Sequence, residues 1–147
     1  MGRVWYPVNS LMRFEDWPTR LDAFLESRKQ TAFAWGEHDC CLFACDAIQT
    51  ITGVDLAADY RGKYSTAKEA LDLMGEEDIG DMMTRIGAQH GVVEVPVAYA
   101  QRGDAVLVEH EHEALGIVAL SGVDVWVPGE LFLVRAPIET VLRAWKI

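Results

Sequence analysis

Apolar positions follow two different periods along the chain. Up to about residue 90 they recur at helical spacing, and beyond it they form short β-branched runs broken by Gly, Pro and Asp. Leu21, Phe24 and Leu25 follow Pro18, a residue suited to a first helical turn, and predict a helix over 17–29. In a second helix over 40–52, Cys40, Cys41, Ala44, Cys45, Ala47, Ile48 and Ile51 share one broad face, with Asp46, Gln49 and Thr50 opposite. Asp39 is placed to cap that helix and Gly53 to stop it. Its small residues Cys40, Ala44 and Ala47 would let a sheet approach closely. Ser65 or Thr66 opens a third helix to about residue 74, with Glu69 at capping-box spacing from Thr66 and Gly75 as the stop. A fourth, over 79–89, buries Ile79, Met82, Met83 and Ile86 and ends before Gly91.

Strands are expected over 92–95, 105–108, 114–120, 123–127, 131–134 and 138–145. Helices first and strands afterwards give an α+β fold, the strands forming an antiparallel meander covered by the helix that carries Cys40. Residues 1–16, with Trp5, Tyr6, Pro7 and Phe14, read as an irregular arm before one domain over 17–147. The arm's aromatics and the Ala144-Trp145-Lys146-Ile147 end offer apolar surface, either to this domain or to a neighbour.

Composition narrows the function. Half of the 147 residues are hydrophobic, enough for one core. Thirteen basic against 23 acidic side chains give a net charge of −10, which argues against binding a nucleic-acid backbone and is compatible with docking on a basic partner. No stretch reaches the ~18 apolar residues of a membrane span, and the first ten residues lack a secretory pattern. The three cysteines are odd in number and lie within six positions. That is a poor disulfide framework, so reduced thiols in a protein made in the cytoplasm are expected.

The same cysteines are the candidate chemistry. A nucleophilic cysteine must be a thiolate, which a helix N-terminus favours and a nearby histidine completes. Cys40 meets the first condition if the helix begins after Asp39, whose own charge opposes it unless engaged in capping. The plainer alternative makes Cys40, Cys41 and Cys45 small apolar residues under a sheet. No cofactor and no metal site are expected: a Cys-x-x-Cys pair is missing, and the His-rich 109–113 stretch reads as a solvated hairpin turn.

Trp35-Gly36, Asp39-Cys40, Gly103-Asp104-Ala105-Val106-Leu107 and Leu115-Gly116-Ile117-Val118 together resemble the NlpC-type papain-like cysteine peptidases. There an Asp-Cys pair begins the central helix, Gly-Asp opens a strand, and a His-Val-Gly-Ile-like strand supplies the catalytic histidine. The chain more closely resembles an uncharacterised phage and prophage domain family within that fold. The segments carrying this likeness are Trp35 to Cys40, Thr52 to Asp55, Arg61 to Tyr64, Gly103-Asp104, Ala114 to Ile117 and Ala144-Trp145, spread over about residues 17–147.

The resemblance implies a papain-like fold with Cys40 at the nucleophile position. It places Ala114 where the histidine belongs, and no His, Asn or Gln lies near Val125 to Val127 for the orienting role. His112 is the substitute base, on Ala114's face of an extended strand and roughly 6–7 Å from it; His110 shares that parity. His38 would contact the loop before Cys40, and His90 would cap or decorate a helix end. Two functions follow. One is a structural component of a phage tail tip or prophage-derived particle, made in the bacterial cytoplasm, built on a degenerate site and contacting tail hub proteins, with no nucleic acid and no membrane insertion. The other is an active peptidase or amidase that opens peptidoglycan during DNA entry, with Cys40 as nucleophile.

Overall fold

A computed structural model of the protein describes residues 11–147, so Trp5, Tyr6 and Pro7 of the expected arm lie outside the described residues. Four helices come first: α1 (Trp17–Arg28), α2 (Cys40–Thr52), α3 (Ala67–Met74) and α4 (Ile79–Ala88). Six strands follow: β1 (Val93–Val95), β2 (Ala105–His110), β3 (His112–Val118), β4 (Asp124–Pro128), β5 (Leu133–Pro137) and β6 (Val141–Lys146). The α+β class is as expected.

The helix ends are set locally. Asp39 accepts from the Leu42 amide, and Gly53 closes α2 in the left-handed region at φ 80°, where a side chain would be strained. Thr66 accepts from the Glu69 amide, and the Glu69 carboxylate reaches back to the Thr66 hydroxyl and to the Ser65 amide, one residue before the amide a capping box engages.

The sheet departs from a plain meander. All pairings are antiparallel, but the order is β1-β6-β2-β3-β4-β5. Strands β2 to β5 run as a meander, whereas β6 returns to the outer side of β2 and β1 joins it there. The expected 138–145 strand is shorter, because Ile138–Thr140 form a 3-10 turn first. The 109–113 turn is also tighter than expected. β2 runs to His110 and β3 starts at His112, leaving Glu111 alone at the bend with φ 66°.

Each face of the sheet has its own core. Ala105, Leu107, Leu115, Ile117 and Trp145 pack with α1, α2 and α4. The opposite face carries only Val and Ala among its fully buried residues, including Val106, Val108, Ala114, Val125 and Val127. Val95, Ala100, Val134 and Ile138 pack against these small side chains from the rim. Cys40 packs against both clusters, which puts the start of α2 at the seam between them.

Both ends of the described chain are folded in. Trp145 is fully buried and donates from Nε1 to Thr84 Oγ1 at 3.0 Å, and Ile147 belongs to the helix-side core. The apolar surface expected of the C-terminal end is therefore interior. The Phe14 amide donates to the Ile51 carbonyl, with its ring against Gly53. Asp104, fully buried, accepts from Arg13 at 2.9 Å and from the amides of Gln101 and Ile147. The Gly-Asp segment thus ties Arg13 and Ile147 to the start of β2. None of the described helices is long and apolar enough to cross a membrane.

Candidate functional site

The start of α2 is held by one buried carboxylate. Asp39 Oδ1 accepts from the Leu42 amide at 2.9 Å; Oδ2 accepts from the Gly36 amide at 3.0 Å and from the Tyr64 hydroxyl at 2.5 Å. Its charge is thus engaged in capping and in fixing two loops. Gly36 has φ 79°, and a Cβ there would lie 2.1 Å from the Tyr64 carbonyl oxygen, so only glycine fits between the loops. On the far side of α2, Arg61 binds Asp55 at 2.8 Å and Asp46 at 2.5 Å, while Arg28 binds Asp46 at 2.9 Å. The Trp-Gly-x-x-Asp, Thr-Gly-x-Asp and Arg-Gly-x-Tyr segments therefore form one interlocked support for the helix.

The three thiols on this support differ. Cys40, partly exposed, is held below the usual thiol value, first by a hydrogen bond from the Cys41 thiol and then by the Leu115 amide, against burial and the Asp39 charge. Cys41 keeps its proton in that bond and is raised well above the usual value, burial adding to the effect. Burial first, with the Asp55, Asp46 and Asp39 charges adding to it and Arg61 opposing, pushes Cys45 up to about 12. Only Cys40 is set toward the thiolate.

Its partner is missing at the expected place. Ala114, 2% exposed, sits in the Val/Ala cluster against which Cys40 packs, next to the residue whose amide meets the sulfur. A methyl group moves no protons. Val125 and Val127 are buried in the same cluster, so no orienting polar group stands behind Ala114 there.

The four histidines scatter. His112, exposed, opens β3 directly across from His110, and both line the cleft that Cys40 lines. His38 lies outside that lining. It is 3% exposed, edge-on to Phe43, with Nδ1 3.3 Å from Arg28 and Nε2 without a partner; burial and Arg28 lower its pKa. His90 follows α4, its amide bonded to the Gly87 carbonyl. Among the described residues, no three His, Cys, Asp or Glu side chains converge to hold a metal ion.

Cys40, Cys41 and Cys45 line a cleft of about 850 Å³. One wall is made by helices and the loop between α2 and α3, with Tyr60, Tyr64, Met74 and Ile86; the other is the sheet, with Ala114, Val127 and Val134. Sequence periodicity places the thiols on one helix face but misses the cleft. Its α3 wall comes from a helix that buries only Ala70 and leaves Leu71 and Leu73 exposed. The Tyr64–Asp39 bond, 25 residues apart, was likewise missed; the Arg-Gly-x-Tyr segment was its one visible trace.

The chain belongs to the DUF6950 family, a domain of unknown function that matches residues 12–147. No curated protein and no solved structure matches it.

Proposed function

We propose that the protein is a structural component of a phage tail tip or prophage-derived particle, built on a papain-like, NlpC-type fold whose peptidase site is degenerate. The observation that carries the non-catalytic part is Ala114 beside Cys40. The thiol has hydrogen-bond donors around it but no imidazole at the mapped position to take up a proton and return it to a leaving amine. The tail-tip assignment rests on the resemblance of six sequence segments to phage and prophage domains, and the acidic chain suits a basic hub protein. Quantitative mass spectrometry of purified particles tests it. A fixed, symmetry-related copy number is expected, and absence of the chain from the particle rejects the assignment.

A second reading has its own observation: His110 and His112 line the same cleft as Cys40, whose thiol is already held low. In that reading the Cys40 thiolate attacks the carbonyl carbon of a peptidoglycan amide. The imidazolium of His112 then gives its proton to the departing amine, and water releases the acyl group from sulfur. Release of soluble peptidoglycan fragments, lost in both Cys40→Ala and His112→Ala, would establish this reading and end the non-catalytic one.

A further inference from the structure

Among the described residues, one buried side-chain polar atom has no hydrogen-bond partner, Nε2 of His38. His38 is the last residue before the Asp39 cap, and its ring lies between α1 and α2, buried and edge-on to Phe43. On the α1 side, Nδ1 is 3.3 Å from a guanidinium nitrogen of Arg28. A guanidinium only donates, so Nδ1 is the acceptor and the proton of the neutral ring sits on the orphaned Nε2. A buried donor without an acceptor is unfavourable, so the ring is held by its burial and by that one bond.

A second proton on this ring finds no acceptor. It turns Nδ1 into a donor facing a donor and sets an imidazolium against a guanidinium. The charged groups that face the ring are Arg28 from α1, Asp46 from α2 and Asp39 from the cap. Both carboxylates are already engaged. Asp46 gives one oxygen to Arg28 and the other to Arg61. Asp39 gives Oδ1 to the Leu42 amide, and Oδ2 to the Gly36 amide and the Tyr64 hydroxyl. Glu37, in the same turn, is exposed.

The backbone connects this ring to the mouth of the cleft. Ala34 and His38 each donate an amide to the other's carbonyl, and the Glu37 amide donates to the Ala34 carbonyl, closing the 34–38 turn. Trp35, which lines the cleft, stands in that turn with its ring edge-on to Phe33. The Phe33 amide in turn donates to the Glu130 carbonyl on the facing wall. α2 is anchored separately, through the fully buried Phe43, Ala44 and Ile48.

We infer that the 29–39 loop is an acid-opened gate at the mouth of the cleft: a proton on His38 expels the ring from between α1 and α2, undoes the Ala34–His38 bridge and releases Trp35, while α2 stays in place. The gate is independent of whether Cys40 reacts. Its sign follows from the ring's surroundings. Burial, and then Arg28, lower the pKa of His38 in the closed loop. The hold on the loop is therefore complete above the ordinary value of about 6.5 and is lost as pH falls from there to the lowered one. Within that window each pH unit shifts the balance toward the open loop by up to about tenfold.

Hydrogen exchange of the full chain tests the gate, read by mass spectrometry between about pH 7.5 and about pH 5 and corrected for the pH dependence of intrinsic exchange. Protection of the 33–38 segment should fall at least about tenfold on acidification, with the 43–51 segment of α2 unchanged. The fall should begin near pH 6.5 and end where the His38 ring titrates by NMR. His38→Gln keeps an oxygen for Arg28 and does not titrate, so its loop should be equally protected throughout. Arg28→Gln replaces the facing cation with a carbonyl oxygen that accepts from the imidazolium, and should reduce the fall without altering His38 itself. A parent loop equally protected at both ends of the range, an undiminished fall in either variant, or a fall shared equally by α2 would each overturn the inference.

Discussion

Removing the Asp39 carboxylate should unfasten the start of α2, and the size of the effect can be worked from its partners. Asp39→Ala deletes the N-cap to Leu42, a loss of about 1 kcal/mol. It also strands the Gly36 amide and the Tyr64 hydroxyl, whose common acceptor is Oδ2. A donor left without its partner in a buried setting costs about 1–3 kcal/mol, and Tyr64 is partly open to water, so its share lies low in that range. The expected total is about 3–5 kcal/mol. Asp39→Asn can keep the Leu42 cap but then turns an NH2 toward the Gly36 amide, donor against donor, and should cost about 1–3 kcal/mol. Tyr64→Phe removes only one donor and should cost about 1–2 kcal/mol. Urea unfolding of the three variants should therefore rank Ala below Asn, and Asn at or below Phe. Asp39→Asn has a second readout. The Asp39 charge raises the Cys40 thiol, so its removal should speed iodoacetamide labelling of Cys40 near neutral pH. An Asp39→Ala protein within 1 kcal/mol of the parent would refute the interlocked-loop account, and unchanged labelling in Asp39→Asn would refute the electrostatic one.

Two glycines only 26 residues apart should respond very differently to alanine. Gly36→Ala puts its Cβ 2.1 Å from the Tyr64 carbonyl at φ 79° and should cost more than about 3 kcal/mol. Gly62→Ala, at φ 75° with nothing within 4 Å, should cost only about 1–2 kcal/mol by the same denaturant measurement. Arg13→Ala leaves the fully buried Asp104 with its amide donors and, as its one remaining ion pair, the more distant Lys146 Nζ at 3.8 Å, and should destabilise by about 3 kcal/mol in thermal unfolding, with Arg13→Lys intermediate. Stability should also fall above about pH 9. The Cys41 and Cys45 thiols hold their protons in the folded protein after the unfolded chain has lost them, so the unfolded state binds fewer protons there. Each contributes a slope of about 1.4 kcal/mol per pH unit. Cys40, shifted the other way, opposes the decline only until the thiol of the unfolded chain has ionised. Urea midpoints between pH 9 and 10.5 should show the decline, Tyr64, raised by burial and its bond to Asp39, adding to it as pH nears 10, and Cys45→Ala should make it shallower.

What could be read from the sequence is what depends on near neighbours. The bounds of α2 coincide with the expected 40–52 because Asp39 and Gly53 act within one turn of the helix they end, and the Thr66–Glu69 pair fixes α3 in the same way. The return of β6 to β2 escaped notice, since no local pattern encodes which of six short apolar strands pair. The 109–113 stretch is the exposed hairpin end that was expected, only tighter. Its charges are solvated as a turn's would be, yet they ride on strands that continue to the bend at Glu111. The motif segments mark a different limit. Trp35 to Cys40, Thr52 to Asp55 and Arg61 to Tyr64 resemble the surroundings of a nucleophile, but their polar residues support the start of α2. Asp39 caps it, Gly36 admits the Tyr64 backbone, and Arg61 ties Asp46 to Asp55. Gly103-Asp104 clamps the chain ends, and Trp145 fills the core. None of these roles needs a reaction at sulfur. Cys40 itself is accounted for as a small residue touching both cores at the seam. A signature assembled from caps, a forced glycine and ion pairs therefore reports how α2 is seated. Whether the thiol above it can turn over depends on the proton carriers within its reach, and at the strand position that the resemblance assigns to the histidine the chain places a methyl group.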